Sequence, residues 1–363
     1  MHHIEVFRIA CGSPGDTSGL AELLASGHLR AQDIVAVMGK TEGNGCVNDY
    51  TREYATAMLA TFLGHSLHID PADVERRIAF VMSGGTEGVL SPHITVFARR
   101  PAANTKATGK RLTLGIAFTR DFLPEEIGRR AQIVETAAAV KHAMEDGGIT
   151  SVEDLHFVQV KCPLLTSAKI TAARGRGAEP ATADTYESMG YSRGASALGV
   201  ALATGELASS ALDDAAVLHD WALSSSVASV SAGIEIEHNV VIAMGMSAQA
   251  SSPYVIAHDV MADAIDADSV RRTLESLGVR GTDDLHRVVN VFAKAEAGPD
   301  GLVRGMRHTM LGDSDINSTR HARAVTGAVI ASVVGHGMVY VSGGAEHQGP
   351  AGGGPVAVIA LAI

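Results

Sequence analysis

A five-residue pattern is written three times in this chain, and any fold it adopts must give that pattern three matching places. Ser83-Gly84-Gly85-Thr86-Glu87, Ser231-Ala232-Gly233-Ile234-Glu235 and Ser342-Gly343-Gly344-Ala345-Glu346 all read Ser, Gly or Ala, Gly, any residue, Glu. Each follows an apolar run of strand length: Ile78 to Met82, Val227 to Val230 and Met338 to Val341. A strand that ends in Ser-small-Gly leaves a hydroxyl and unshielded backbone N–H groups at its tip, where a ligand can approach closely. Internal repetition on this scale governs every other reading of the chain.

Other signals repeat in step. Lys40, Lys161 and Lys294 each end an earlier apolar run. Arg52, Arg193 and Arg323 each open a small-residue segment that ends in Gly at a spacing of 12 (64−52, 205−193, 335−323). The order Lys, Arg, Ser is the same each time. Arg320 lies one turn from Arg323, and the spacing to Gly335 selects Arg323. A further apolar run follows each Ser motif: Ile94 to Ala98, Val240 to Met244 and Val356 to Ala362. These marks divide the chain into units 1–103, 111–250 and 257–363, joined by linkers at Pro101-Ala102-Ala103-Asn104-Thr105 and Ser251-Ser252-Pro253. Asp70-Pro71 predicts a capped helix start. Pro124 to Glu145 predicts a helix stopping at Gly147-Gly148, and Val270 to Leu277 one stopping at Gly278. The fold class is α/β: three homologous α/β repeat units. Set around a pseudo-threefold axis, they would bring their Lys, Arg and Ser residues together at the centre.

At 363 residues the chain is long enough for two or three domains. A net charge of −11, with no basic block, argues against nucleic acid or anionic lipid as a partner. Three unpatterned cysteines, Cys11, Cys46 and Cys162, point to a reducing, cytoplasmic setting. The start carries Glu5 and Arg8 and does not read as a signal peptide. Ala324 to Val341 is the most apolar stretch. Gly335-His336-Gly337 interrupts it, which predicts helix, turn and strand and not a membrane span.

Three converging lysines oppose one another's charge, and burial pushes the same way, so at least one should lose its proton. A neutral Lys beside a Ser is a general base that makes the hydroxyl a nucleophile. The backbone N–H after the Ser can hold a carbonyl oxygen as charge builds on it. The Arg residues add charged forks suited to paired acceptors. One asymmetry selects among the three sets. Glu42 and Glu296 lie two residues beyond Lys40 and Lys294, on the same face if the backbone stays extended, and would keep those lysines charged. Lys161 is followed by Cys162-Pro163 and lacks such an acid. Lys161 is therefore the expected base and Ser231 the expected nucleophile. Gly39-Lys40-Thr41 lacks the earlier Gly of a phosphate-binding loop, since position 35 is Val35. Gly349 to Gly354 is glycine-rich but opens no helix, which argues against dinucleotide binding, and the 16 histidines show no zinc-ligand spacing.

These residues resemble the cyanuric acid hydrolase/barbiturase family from end to end. The resemblance includes Ser13-Pro14-Gly15-Asp16-Thr17-Ser18, Val37 to Gly45, Met82 to Gly88, Met306-Arg307-His308-Thr309-Met310 and Gly343 to Pro355. It implies a three-domain, pseudo-threefold, Toblerone-like fold. It implies hydrolytic opening of the s-triazine ring of cyanuric acid to carboxybiuret, which then loses carbon dioxide to leave biuret. It places a Ser-Lys dyad at Ser231 and Lys161. It places substrate contacts at Arg52, Arg193, Arg323, Ser83-Gly84, Ser231-Ala232 and Ser342-Gly343, with Lys40 and Lys294 alongside. It also implies no organic cofactor and a homotetramer. A structural Mg²⁺ or Ca²⁺ would sit on Glu296 and on oxygens of Ala345, Gln348, Gly349, Pro350 and Gly353, the hard donors such ions take. A barbiturase, opening barbituric acid to ureidomalonate, is the alternative within the family. A small-anion binding protein on the same fold is the alternative outside catalysis.

Overall fold

The computed structural model describes residues 2–102 and 109–363. The proposed end of the first unit at Ala103, and Asn104-Thr105 of its linker, lie outside the described residues. Apolar runs rich in Val, Ile and Ala form strands, and small-residue segments form the helices between them. The first stretch contains β1 (His2–Ala10), α1 (Ser18–Ala25), β2 (Ile34–Thr41), α2 (Thr51–Leu67), α3 (Pro71–Arg77), β3 (Ala79–Gly84) and β4 (His93–Pro101). The second contains β5 (Arg111–Phe118), α4 (Arg130–Gly147), β6 (Leu155–Pro163), α5 (Ser167–Gly175), α6 (Thr185–Thr204), β7 (Ala228–Gly233) and β8 (Val240–Ser247). The third contains β9 (Tyr254–Met261), α7 (Ala267–Ser276), β10 (Val288–Ala295), a small hairpin β11 (Leu302–Val303) and β12 (Met306–Arg307), α8 (Ser318–Val334), β13 (Tyr340–Gly343) and β14 (Gly354–Leu361).

Each stretch builds its own four-stranded sheet with one topology: β1-β4-β2-β3, β5-β8-β6-β7 and β9-β14-β10-β13. Within each, two antiparallel pairings are followed by one parallel pairing, β2 with β3, β6 with β7 and β10 with β13. A parallel pair needs a crossover, and α2–α3, α5–α6 and α8 supply it. In all three parallel pairs the lysine stands directly opposite the motif serine: Lys40 by Ser83, Lys161 by Ser231 and Lys294 by Ser342.

One face of every sheet packs into a shared core containing Met38, Phe97, Leu114, Phe157, Ile242, Phe292, Tyr340 and Ile359. Phe292 lies 5.4 Å from Phe157 and 6.4 Å from Phe97, ring centre to ring centre, so residues of three sheets meet on it. The other faces are covered by helices, each with a separate apolar cluster.

The Asp70 cap is present, its carboxylate accepting from the Ala72 N–H at 2.8 Å. Gly148, Gly278, Gly205 and Gly335 all adopt the left-handed backbone where helices stop. Three expectations are corrected. The Pro124 segment is a short 3₁₀ turn, and the α-helix begins only at Arg130, because Gly128 at φ +77° breaks the path between them. Helix α2 runs through Gly64 and is capped instead by His68 in the left-handed region. Arg193 does not open its helix but sits inside α6, which begins at Thr185 behind an Asp184 cap.

Candidate active site

The strand ends and helices converge on one small cavity. Its walls are Arg52, Arg193 and Arg323, with Ser83-Gly84, Ser231-Ala232 and Ser342-Gly343, so every substrate-binding Arg and motif Ser predicted from the sequence lines it. Gly45, which closes one of the stretches that carry the resemblance, and Met189 complete the lining, and neither was expected as a site residue. The three lysines are buried behind the serines. Lys40 donates to Ser83 Oγ at 3.0 Å and Lys294 to Ser342 Oγ at 3.0 Å. Lys161 does not donate to Ser231. Its ammonium contacts the Met82 carbonyl at 2.8 Å and Glu235 Oε1 at 2.7 Å.

That contact overturns the reasoning that singled out Lys161 as the lysine without an acid. Glu42 and Glu296 lie beyond the ends of β2 and β10, where strand alternation no longer aligns them with the lysines. Among the described residues, Lys161 alone of the three has a carboxylate at ion-pair distance, and it comes from the fifth residue of its own Ser motif. Burial drives Lys40 and Lys294 well below the ordinary ammonium value, and Arg323 beside Lys40 and Arg193 beside Lys294 add to this. Lys161 is lowered by burial and by Arg52, with Glu235 opposing the shift. Burial pushes Glu235 up, but Lys161 and Arg52 outweigh it and hold the carboxyl below its usual range.

Two of the three motif glutamates, recorded in the sequence without a role, turn out to join the units. Glu87 accepts from Arg323 Nε at 2.8 Å and Nη2 at 2.7 Å, and from Arg320 Nε at 3.0 Å. Glu346 accepts from Arg193 Nε at 2.7 Å and Nη2 at 2.6 Å. Paired N–H···O bonds of this kind fix a guanidinium in orientation as well as place. Arg52 is held differently, donating to the carbonyls of Ala232 and Cys46, both at 2.8 Å. Arg320 stays half-exposed, whereas Arg323 is buried and lines the cavity.

A second departure lies beneath the serines. The residue two before the Lys is Met38, Gln159 or Phe292, and two before the Ser is Val81, Ser229 or Tyr340. Only the middle pair is polar on both strands. Gln159 Nε2 donates to Ser231 Oγ at 3.4 Å and Gln159 Oε1 accepts from Ser229 at 2.8 Å.

The proposed cation ligands lie beyond β10 and β13. The Glu296 carboxylate accepts only from the Ala297 N–H, at 2.9 Å, and burial next to Glu346 raises its proton affinity. The loop through Pro350 and Gly353 folds back so that Gly352 is in tight contact with Gly298, two residues past Glu296. An under-compensated carboxylate beside a carbonyl-rich loop suits a hard divalent cation. The Gln348 side-chain oxygen is already engaged by the Val230 N–H at 2.6 Å, so Gln348 serves better through its backbone.

Residues 5–361 match the family described as amidohydrolase ring-opening protein. The chain is 77% identical over 363 residues to the cyanuric acid amidohydrolase of Pseudomonas sp. strain ADP, covering all of both chains. It is 61% identical to the cyanuric acid amidohydrolase of Bradyrhizobium diazoefficiens over 98% of each. Among solved structures, one described as cyanuric acid hydrolase, an innovation by structural concatenation, superposes with a TM-score of 0.98 at 76% identity over the full length of both. The cyanuric acid hydrolase of A. caulinodans superposes with a TM-score of 0.93 at 50% identity, over 100% of this chain and 99% of that one.

Proposed function

The chain belongs to the amidohydrolase ring-opening protein family, and from that premise we propose that it hydrolyses the s-triazine ring of cyanuric acid through a Ser231–Lys161 dyad. One observation carries this reading: three Arg and three Ser-small pairs line one cavity. Cyanuric acid alternates three C=O with three N–H around a ring, and three matched donor sets form a complementary cradle. Three like units around a pseudo-threefold axis is the arrangement that the common sheet topology and shared core support.

In this reading Ser231 Oγ attacks a ring carbonyl carbon while neutral Lys161 takes its proton. Backbone N–H groups at the Ser231-Ala232-Gly233 turn hold the resulting oxyanion. Collapse breaks the ring C–N bond, and Lys161 returns the proton to the leaving nitrogen. Water then releases the acyl group by the same route, giving carboxybiuret, which loses carbon dioxide to leave biuret. Lys40 and Lys294, whose hold on a proton burial weakens, and their serines supply hydrogen bonds to the other two edges of the ring. A Mg²⁺ or Ca²⁺ on Glu296 and the carbonyls around Ala345 to Gly353 would serve the fold, by tying β10 to the loop after β13. Barbituric acid, with one CH₂ in place of N–H, leaves one of the three sets unmatched and is the poorer substrate.

The test follows loss of ring absorbance with each compound. Cyanuric acid should be consumed and barbituric acid should not. Ser231→Ala should lower kcat by at least about a thousandfold while substrate still binds. Near-normal turnover by Ser231→Ala, with Ser83→Ala or Ser342→Ala dead, would overturn the assignment.

A further inference from the structure

The three Ser motifs are alike in sequence, but only two are alike in conformation. Gly85 and Gly344 are left-handed, at φ +104° and +75°. A Cβ on Gly85 would fall 2.5 Å from Arg323 Nε, and one on Gly344 would fall 2.4 Å from Arg193 Nε. In both, the space over the third motif residue is filled by a guanidinium from another unit, and the motif Glu grips that guanidinium by Nε and Nη2. Gly233 is not left-handed, and β7 runs one residue further, through Gly233. The space over Gly233 is filled by the Glu235 carboxylate itself, 2.2 Å from a Cβ built there. Arg52, the guanidinium that the pattern would place there, keeps Nε buried without a partner, and Glu235 keeps Oε2 buried without a partner. Nε is the atom that Arg193 and Arg323 each give to their glutamate. Two buried atoms of opposite charge are thus unsatisfied at one motif, which Arg52 already touches through the Ala232 carbonyl, and such atoms are costly to leave unpaired.

We propose that Glu235 is a positioning residue that alternates between Lys161 and Arg52, and that its transfer to Arg52 frees Lys161 for Ser231. The inference rests on the Ser231–Lys161 reading and adds a resting state and a trigger to it. In the resting state described here Glu235 holds the Lys161 ammonium, and Ser231 is parked on Gln159. Substrate entering the cavity draws Arg52 inward. Gly233 passes to the left-handed backbone its counterparts already adopt, which Gly does without steric cost. Glu235 then takes Arg52 Nε and Nη2, as Glu87 and Glu346 take theirs. Lys161 loses the one carboxylate that touched it and gives its proton to water, becoming the neutral amine the attack requires. The way out is a cleft on which Lys161 and Glu235 both open, together with Glu53, Glu75, Asp121, Glu237 and His238. Two units stay fixed to hold the ring, and the third moves to react.

The test is a crystal structure of the Ser231→Ala variant with cyanuric acid bound, beside the same variant without it. The bound form should show Gly233 at positive φ and Glu235 bidentate on Arg52, with Lys161 more than 4 Å from any carboxylate. Glu235 on Lys161 in both crystals would overturn the proposal. In solution, Glu235→Gln removes the counter-ion, so the acidic limb of kcat/KM should move to lower pH, by about one unit or more. Gly233→Ala bars the left-handed state and crowds the Glu235 carboxylate, so it should cut kcat at least tenfold and lower the melting temperature as well. An unmoved acidic limb in Glu235→Gln, or full kcat in Gly233→Ala, would also overturn it. These failures are separable from failure of the dyad, which would appear as an active Ser231→Ala enzyme.

Discussion

Lys161 differs from Lys40 and Lys294 in two contacts: it gains a carboxylate at 2.7 Å and lacks the bond to its own motif serine. Burial lowers all three, yet among the described residues only this one has a carboxylate at ion-pair distance to keep a proton on it between turnovers. A lysine that is always neutral can donate or accept a hydrogen bond. One whose charge state is coupled to a movable acid can be switched. Lys161→Arg separates these roles, because Arg keeps the charge and the Glu235 contact but cannot serve as a base near neutral pH. Its activity should fall as far as that of Lys161→Ala, measured as kcat at saturating cyanuric acid, with the fold intact by circular dichroism. An active Lys161→Arg enzyme would show that a fixed charge suffices there.

The parallel strand pair and its tip form the element that makes the site. Parallel pairing sets Lys opposite Ser, and the Gly that follows lets a foreign guanidinium lie on the backbone. At Gly85 and Gly344 an L-residue would meet two penalties, the left-handed backbone, which costs about 1–2 kcal/mol, and the guanidinium at 2.5 Å or less. Gly85→Ala and Gly344→Ala should therefore each lower stability by about 2 kcal/mol or more and weaken substrate binding, read from thermal melts and KM. A Gly344→Ala protein with parental melting temperature and KM would show that the Arg193 seat over the turn is dispensable. The Ser tips and the helix stops at Gly148, Gly205, Gly278 and Gly335 were legible in the sequence, because each rests on local chemistry that Gly announces, whereas the stop of α2 at His68 was not. The length of α6 upstream of Arg193 was missed, although a local signal, the Asp184 cap accepting from the Glu187 N–H, marks its start.

Across the whole molecule, histidines lie at the boundaries between units. His156 on β6 and His258 on β9 share a 2.9 Å contact between ring nitrogens, and Arg8 on β1 donates to His336 at 2.8 Å. Burial holds His156 at about 4, with His258 adding to it, and holds His336 at about 4, with Arg8 adding to it. Both values lie below the ordinary 6.5, so the unfolded chain binds more protons between those limits. Stability present above pH 6.5 should be lost as pH falls toward 4. Melts at pH 7.5, 6 and 5 should show a falling midpoint, and His156→Leu should flatten the slope. A midpoint independent of pH over that range would count against the linkage. The sequence by itself determined the threefold repetition, the Lys, Arg and Ser sets and the strands that carry the Lys and Ser residues, because these are written in short-range patterns. Only the tertiary structure decided which glutamate meets which cation. Glu87 reaches Arg323 across 236 positions, whereas Glu235 turns back to Lys161. The choice between a near lysine and a distant arginine is made by the relative placement of three units, which no local pattern encodes.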